Sequence, residues 1–230
     1  MNDLTAVVTG ASRGIGEAIA REFADRGAHV VLCARGADDV DAVADDIQSA
    51  GGTATAVRAD VRDEYDVERL METASRVGGG IDVVVANAGV YHGTPGETPI
   101  QEESYAGFDD HLRTNVRGVF ATLDESIPHL NEGARMLVPT GKVARDAKPG
   151  IGSYAVSKAA AEAVVRQFAV DTEYVVGCVD PGQVATDLSG PAGRDPAAVA
   201  PMFTWAATEC PAEDLAGGVV GLREWKSATR

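Results

Sequence analysis

The chain has 230 residues with 35 acidic and 20 basic side chains, a formal net charge of −15, and 45% of its positions are apolar. That apolar share supports one sizeable core and excludes wholesale disorder. So negative a charge repels phosphate backbones and anionic headgroups, which argues against nucleic-acid and membrane-surface roles. Only Lys142, Lys148, Lys158 and Lys226 are lysines, and the acids are spread along the chain with one dense run at 38–46. This favours an acidic surface adapted to high salt, halophile-like, over a single patch for a basic partner. Cys33, Cys178 and Cys210 are odd in number and form no CxxC, and His29, His92, His111 and His129 show no ligand spacing. Neither a disulfide framework nor a metal site is expected. The opening MNDLTAVVTG has no basic stretch leading into an apolar run, and no apolar run approaches a bilayer span of ~20 residues. The expectation is a soluble, cytoplasmic protein.

In chain order, short β-branched runs at 4–9, 29–34, 55–59, 81–86, 135–139 and 174–179 predict strands buried on both faces. Amphipathic stretches at 16–26, 38–50, 65–77, 105–130 and 154–171 predict the intervening helices. In the second of these, Val40, Val43, Ala44 and Ile47 make one apolar stripe, and the neighbouring aspartates fall largely outside it. The alternation implies right-handed crossovers and an α/β fold: a doubly wound, mostly parallel, Rossmann-like sheet with helices on both faces. With no repeat and no linker, one domain is expected over 1–230. The proline-bearing segment 186–211 is expected to be a substrate loop, and 211–225 reads as helical.

The first strand runs directly into Thr9-Gly10-Ala11-Ser12-Arg13-Gly14-Ile15-Gly16 and then a helix. Gly10 permits a tight turn, Gly14 lets a phosphate approach backbone N–H groups, and Gly16 lets the helix pack close to the sheet. The spacing is GxxxGxG rather than GxGxxG. The second strand ends Leu32-Cys33-Ala34-Arg35, without the acid that usually binds ribose hydroxyls. Arg35 and Arg13 at one corner therefore favour NADP(H), with NAD(H) as the alternative cofactor.

Tyr154 and Lys158 stand four apart on one helical face. An ammonium beside a phenol stabilises the phenolate, so such a pair can hand a proton to a carbonyl oxygen while hydride reaches the carbon. Thr9–Gly16, Asp60-Val61, Asn87-Ala88-Gly89, Asn115, Tyr154/Lys158 and Pro181-Gly182 followed by Thr186 stand in an order and spacing that resembles the short-chain dehydrogenase/reductase family, over about four fifths of the chain. The resemblance implies a role for each. Gly10, Ser12, Arg13, Gly14, Ile15 and Gly16 would form the pyrophosphate turn, and Asp60 with Val61 the adenine contact. Asn87, Ala88 and Gly89 would lie along the adenosine ribose. Asn115 would hold a relay water, while Lys158 would bind the nicotinamide ribose and depress the Tyr154 pKa. Pro181, Gly182, Val184 and Thr186 would cradle the nicotinamide.

Two departures stand out. The family usually places a serine about thirteen residues before the tyrosine, where this chain has Gly141 preceded by Thr140. Thr140 is taken as its substitute for holding the substrate oxygen. The C-terminus shows no evident seventh strand, so a tetramer built through one is doubtful and a monomer or homodimer is expected. Tyr91, His92, Val143, Gln183, Met202, Phe203 and Trp205 are candidates for the substrate side, although the last three could equally pin the loop to the core and His92 reads as a plain loop residue. The expected substrate is a small uncharged carbonyl compound or its alcohol. The alternative is a nucleotide-binding sensor or scaffold of the same fold that lost its chemistry. Sugar-nucleotide epimerase chemistry would need a larger C-terminal substrate domain than this chain supplies.

Overall fold

The computed structural model describes residues 1–229. Alternating strands and helices run β1 (Thr5–Thr9), α1 (Gly14–Asp25), β2 (His29–Ala34), α2 (Ala37–Ser49), β3 (Thr53–Arg58), α3 (Glu64–Gly78) and β4 (Ile81–Val85). They continue through α4 (Tyr105–Leu112), α5 (Gly118–Asp124), β5 (Leu130–Pro139), α6 (Gly152–Asp171), β6 (Val175–Asp180), α7 (Pro196–Thr208), α8 (Ala212–Leu215), β7 (Val219–Gly221) and α9 (Leu222–Ala228). The strands form one parallel sheet in the order β3-β2-β1-β4-β5-β6-β7. The order reverses between β1 and β4, so a crevice opens there at the carboxyl ends of the strands.

Every residue of β1 is buried because helices cover both faces of the sheet. Successive side chains serve opposite cores. Val8, Leu32 and Val179 pack with Ile19 and Phe23 of α1 and Phe203 of α7, while Val7, Val31 and Val84 pack with Leu70 and Met71 of α3 and Val165 of α6.

Three expectations need correction. The single helix expected over 105–130 is broken by a π turn at Arg113–Arg117 and ends at Asp124. The 186–211 segment contains α7: Asp195 caps it by accepting the Ala197 N–H at 2.8 Å, and Pro196 occupies its first turn, where no N–H is missed. Met202, Phe203 and Trp205 on α7 are buried core residues, not pocket lining. Lastly, the C-terminal stretch does contain a seventh strand, with Val219, Val220 and Gly221 pairing in parallel with Cys178, Val179 and Asp180. The doubt raised by its expected absence therefore falls away. Helix α8, which leads into β7, approaches β6 closely at Gly177, where a Cβ would collide with the Leu215 carbonyl oxygen and side chain. Gly177→Ala is expected to lower the unfolding free energy in urea by about 1–3 kcal/mol through overpacking, and an unchanged midpoint would show that β7 docks without this close approach.

Candidate active site

The carboxyl end of β1 is tied across the crevice to the segment after β4. Thr9 Oγ1 accepts the N–H groups of Asn87 (3.0 Å) and Ala88 (3.1 Å), and Asn87 Nδ2 donates to the carbonyls of Thr9 (2.9 Å) and Gly10 (3.1 Å). The chain must pass very close here. Gly10 has φ +66°, and a Cβ on it would lie 2.7 Å from Ala88 Cα, while one on Gly16 would strike the Gly10 carbonyl and the Asn87 amide. Only glycine fits either position. No side chain caps the first turn of α1, so its orphan N–H groups face the crevice as an anion site. A Cβ on Gly14 would come within 3.3 Å of the Thr186 methyl, so the segment after β6 roofs the turn. Such a glycine cradle at a helix N-terminus fits the pyrophosphate of a dinucleotide.

Two arginines stand at the rim. Arg13 is 74% exposed and lies 3.8 Å from Asp187, and Arg35 is exposed at the end of β2. The Asp60 carboxylate is gripped on both oxygens by the Arg62 guanidinium (2.7–3.1 Å), which holds its pKa below the ordinary carboxylate value, with Arg35 adding to the effect. Arg62 also reaches Asp110 at 3.0 Å.

Asn115 lies within the π turn and is buried; such turns often mark functional positions. Its Oδ1 accepts the Val90 N–H at 2.8 Å, and its Nδ2 donates to the Val90 carbonyl and to Ser157 Oγ, both at 2.9 Å. Ser157 in turn donates to the Tyr154 carbonyl at 2.8 Å. Asn115 thus joins the loop after β4 to the first turns of α6, which carry Tyr154 and Lys158. The Tyr154 ring meets Tyr91 edge-on at 4.9 Å. Desolvation, with Tyr91 adding, pushes the phenol up to about 12. Lys158 Nζ donates to the Pro139 carbonyl at 2.6 Å, and burial pulls its pKa down, opposed by Cys178, Glu162 and Asp180. The Lys158 ammonium is turned to the Pro139 carbonyl.

Thr140 stands at the end of β5, but its hydroxyl is turned to Glu162. Thr140 Oγ1 donates to Glu162 Oε1 at 2.7 Å, and Glu162 is 4% exposed. A hydroxyl has one proton to give, so Thr140 has none left for a substrate oxygen. Arg145 bridges Glu162 (3.5 Å) and Asp180, and Asp180 Oδ1 accepts the Gly182 N–H at 3.0 Å, fixing the Pro181-Gly182 turn. Gly141 is extended, and a Cβ there would meet nothing within 4 Å.

The sequence-derived residues therefore gather around one crevice. Ser12 and Ile15 lie in the turn, Val61 behind Asp60, Gly89 beside Asn115, and buried Val184 in the roofing segment. Sequence reasoning missed Glu103, Asp110, His111, Arg145, Ser153, Ser157, Glu162 and Asp180. His111 could have been flagged by its spacing, four residues before Asn115 on the same helical face. Among the described residues no cluster of His, Cys, Asp and Glu could hold a metal ion, and no helix is long and apolar enough to cross a membrane.

Comparison with known proteins agrees with this arrangement. The family model for short chain dehydrogenase matches residues 4–197. The short chain dehydrogenase/reductase AacuN of Aspergillus aculeatus is 40% identical over 189 residues, 80% of this chain and 70% of that protein. A hydroxynaphthalene reductase-like protein, Arp2, of Metarhizium brunneum is 37% identical over 188 residues, 80% of this chain and 69% of its own. Among solved structures, a dehydrogenase/reductase from Sinorhizobium meliloti superposes with a TM-score of 0.86 at 31% identity, covering 96% of this chain and 94% of that one. A short chain dehydrogenase from Burkholderia cenocepacia in complex with NADP gives 0.85 at 27% identity, covering 96% of each chain. The chain belongs to the short-chain dehydrogenase/reductase family of oxidoreductases, which use nicotinamide cofactors.

Proposed function

We propose that this protein is an NADP(H)-dependent oxidoreductase that interconverts a small carbonyl compound and its alcohol, with Tyr154 as general acid and base. The observation that carries the reading is the hydrogen-bonded chain from the loop after β4 through Asn115 and Ser157 to the Tyr154 carbonyl, which ties the helix turn bearing Tyr154 and Lys158 to the strand ends of the crevice. A binding module has no use for a half-buried phenol followed one turn later by a half-buried lysine.

A nicotinamide cofactor bound in the crevice would supply hydride for reduction and accept it in oxidation. Gly10, Ser12, Arg13, Gly14, Ile15 and Gly16 would hold its pyrophosphate at the N-terminus of α1. Asp60, Val61 and the 87–89 segment would hold its adenosine end, and Pro181, Gly182, Val184 and Thr186 its nicotinamide. Arg13 and Arg35 would meet a 2′-phosphate; their exposure at the rim supports NADP(H) over NAD(H). With its pKa raised, Tyr154 Oη is protonated at neutral pH and is ready to donate as negative charge develops on the substrate oxygen. For oxidation the phenol must first be brought down, and Lys158 is the nearby cation in the chain for that task. With Thr140 committed to Glu162, no serine-type donor assists Tyr154 at the substrate oxygen. The relatives named hydroxynaphthalene reductase-like recommend hydroxylated aromatic substrates alongside simple ketones and aldehydes.

Three outcomes are expected. Purified protein oxidises NADPH faster than NADH with a member of such a panel, and Tyr154→Phe abolishes turnover while NADPH still binds. NADPH binding without turnover by the parent protein, in both low and high salt, would instead establish the sensor reading. Arg35→Ala lowers the preference for NADPH over NADH about tenfold or more, the worth of a charge-assisted hydrogen bond, as measured by the ratio of kcat/KM values; an unchanged ratio places the 2′-phosphate elsewhere. Gly141→Ser restores a donor where side-chain space is open and raises kcat about tenfold or more, whereas a rate unchanged by Gly141→Ser but cut by Thr140→Val would return that role to Thr140.

A further inference from the structure

We propose that His111 is a positioning residue for Tyr154, and that it works only as the neutral imidazole with its proton on Nδ1. The inference rests on Tyr154 being the acid and base, and concerns the polar cluster around His111. His111, on α4, is fully buried. Its Nε2 accepts the backbone N–H of His92 at 3.0 Å, so that nitrogen bears no proton. Nδ1, 2.7 Å from Ser153 Oγ, is then the donor. Ser153 immediately precedes Tyr154, and its own N–H donates to Glu103 Oε2 at 2.6 Å. The His111 ring stacks on Tyr91 at 5.9 Å and meets Tyr154 edge-on at 6.1 Å. Tyr91 is further tied by its hydroxyl, 3.3 Å from the carbonyls of Thr94 and Gly150. One imidazole therefore clamps the loop that follows β4 to the helix turn that presents the phenol.

The charges around the ring define when the clamp holds. From the segment before α4, Glu103 Oε1 lies 3.6 Å from Nδ1, buried and without a hydrogen-bond partner among the described residues. On α4 itself, Asp110 is already engaged by His92 Nε2 at 2.8 Å and by Arg62. The loop after β4 contributes the His92 ring at 5.0 Å and the phenol of Tyr91, and α6 contributes Ser153 and the phenol of Tyr154. Burial, with His92 adding, lowers the His111 pKa below its ordinary 6.5, while Glu103 and Asp110 oppose that shift. The neutral form therefore prevails at pH 7. Acid adds a proton at Nε2, which then faces the His92 N–H donor to donor. That hydrogen bond breaks, the imidazolium is drawn to Glu103, and the loop carrying Tyr91 is released from the ring of Tyr154.

The test is the pH profile of kcat with NADPH and an accepted carbonyl substrate, run beside long-range 1H–15N spectra of the imidazoles and NADPH binding. In the parent protein we expect His111 to show the Nδ1–H tautomer at neutral pH, and kcat to fall about tenfold or more below the His111 midpoint, as expected when a reacting group is slightly misplaced. His111→Gln places an amide oxygen near the Nε2 position and cannot be protonated, so it keeps neutral-pH activity and loses the acid limb. His111→Asn reaches Ser153 but not His92, so it lowers kcat at every pH with NADPH affinity unchanged. An Nε2–H tautomer, or an acid limb unaltered in His111→Gln, overturns the proposal; the spectra decide it even if the variants fail to fold. Activity in Tyr154→Phe would instead sink the acid–base reading, while the His111 tautomer stood as measured.

Discussion

Everything at the site depends on one close approach, where the end of β1 meets the segment after β4. The two halves of the sheet join only there, between β1 and β4, and the joint is made by hydrogen bonds rather than by apolar packing. Thr9 Oγ1 serves two N–H groups of the 87–88 segment, and Asn87 returns two bonds to the carbonyls of Thr9 and Gly10. Burying such groups unpaired would cost on the order of 1–3 kcal/mol each, so the joint specifies its own register. Because side chains are absent at Gly10 and Gly16, the first turn of α1 is drawn against the same joint. The first-turn N–H groups of α1 and the 87–88 segment, proposed to hold pyrophosphate and adenosine, are therefore fixed by the same few atoms.

From that joint the order passes outward through amide and hydroxyl groups. The loop after β4 is held at Val90 by both ends of the Asn115 side chain, and Asn115 reaches α6 through Ser157. The π turn gives this side chain its aim, because the added residue per turn shifts the helix face at that point. At the ends of β5 and β6, two buried acids and an arginine surround Thr140. Glu162 takes the Thr140 proton, Asp180 holds Gly182, and Arg145 joins the two. A buried carboxylate is costly unless paired, so Thr140 and Arg145 help to keep Glu162 in place. The local chemistry thus follows from one residue, Glu162, projecting from α6 toward the end of β5.

The parts of this arrangement legible in the sequence were those written in local spacing. The glycine turn, the apolar strands and the Tyr154/Lys158 pair each announce themselves within a few residues. The seventh strand did not, because three residues after a glycine pair are too few for either period to register. Helix α7 was hidden by Pro196 and Pro201, although Asp195 and Pro196 together are a helix start once the cap is seen. The polar pairs that tune the site join residues 22, 42 and 50 positions apart: Thr140 with Glu162, His111 with Ser153, and Glu103 with Ser153. No periodicity spans such separations. A threonine before Gly141 therefore read as a serine substitute, and only its neighbour on α6 shows where its proton goes.

The chain's charge of −15 acquires a sharper meaning in three dimensions. Many of the arginines are spent on outer-face acids: Arg21 with Glu17 and Asp46, Arg26 with Glu22, and Arg69 with Asp66. Such exposed pairs contribute little, with a median of about 0–1 kcal/mol, and salt weakens them further. The proposed cofactor corner has no such firm pairs. Arg13 has only a loose contact with exposed Asp187, and Arg35 has no ion pair among the described residues. A polyanionic cofactor approaching this protein is repelled by the whole and attracted by the corner. Repulsion from the distant acids is cut off at a Debye length of about 10 Å in 0.1 M salt and about 3 Å in 1 M, whereas contact with the two arginines survives at shorter range. Raising the salt therefore removes more of the penalty than of the attraction, so a surface this acidic is compatible with the proposed dinucleotide site at Arg13 and Arg35.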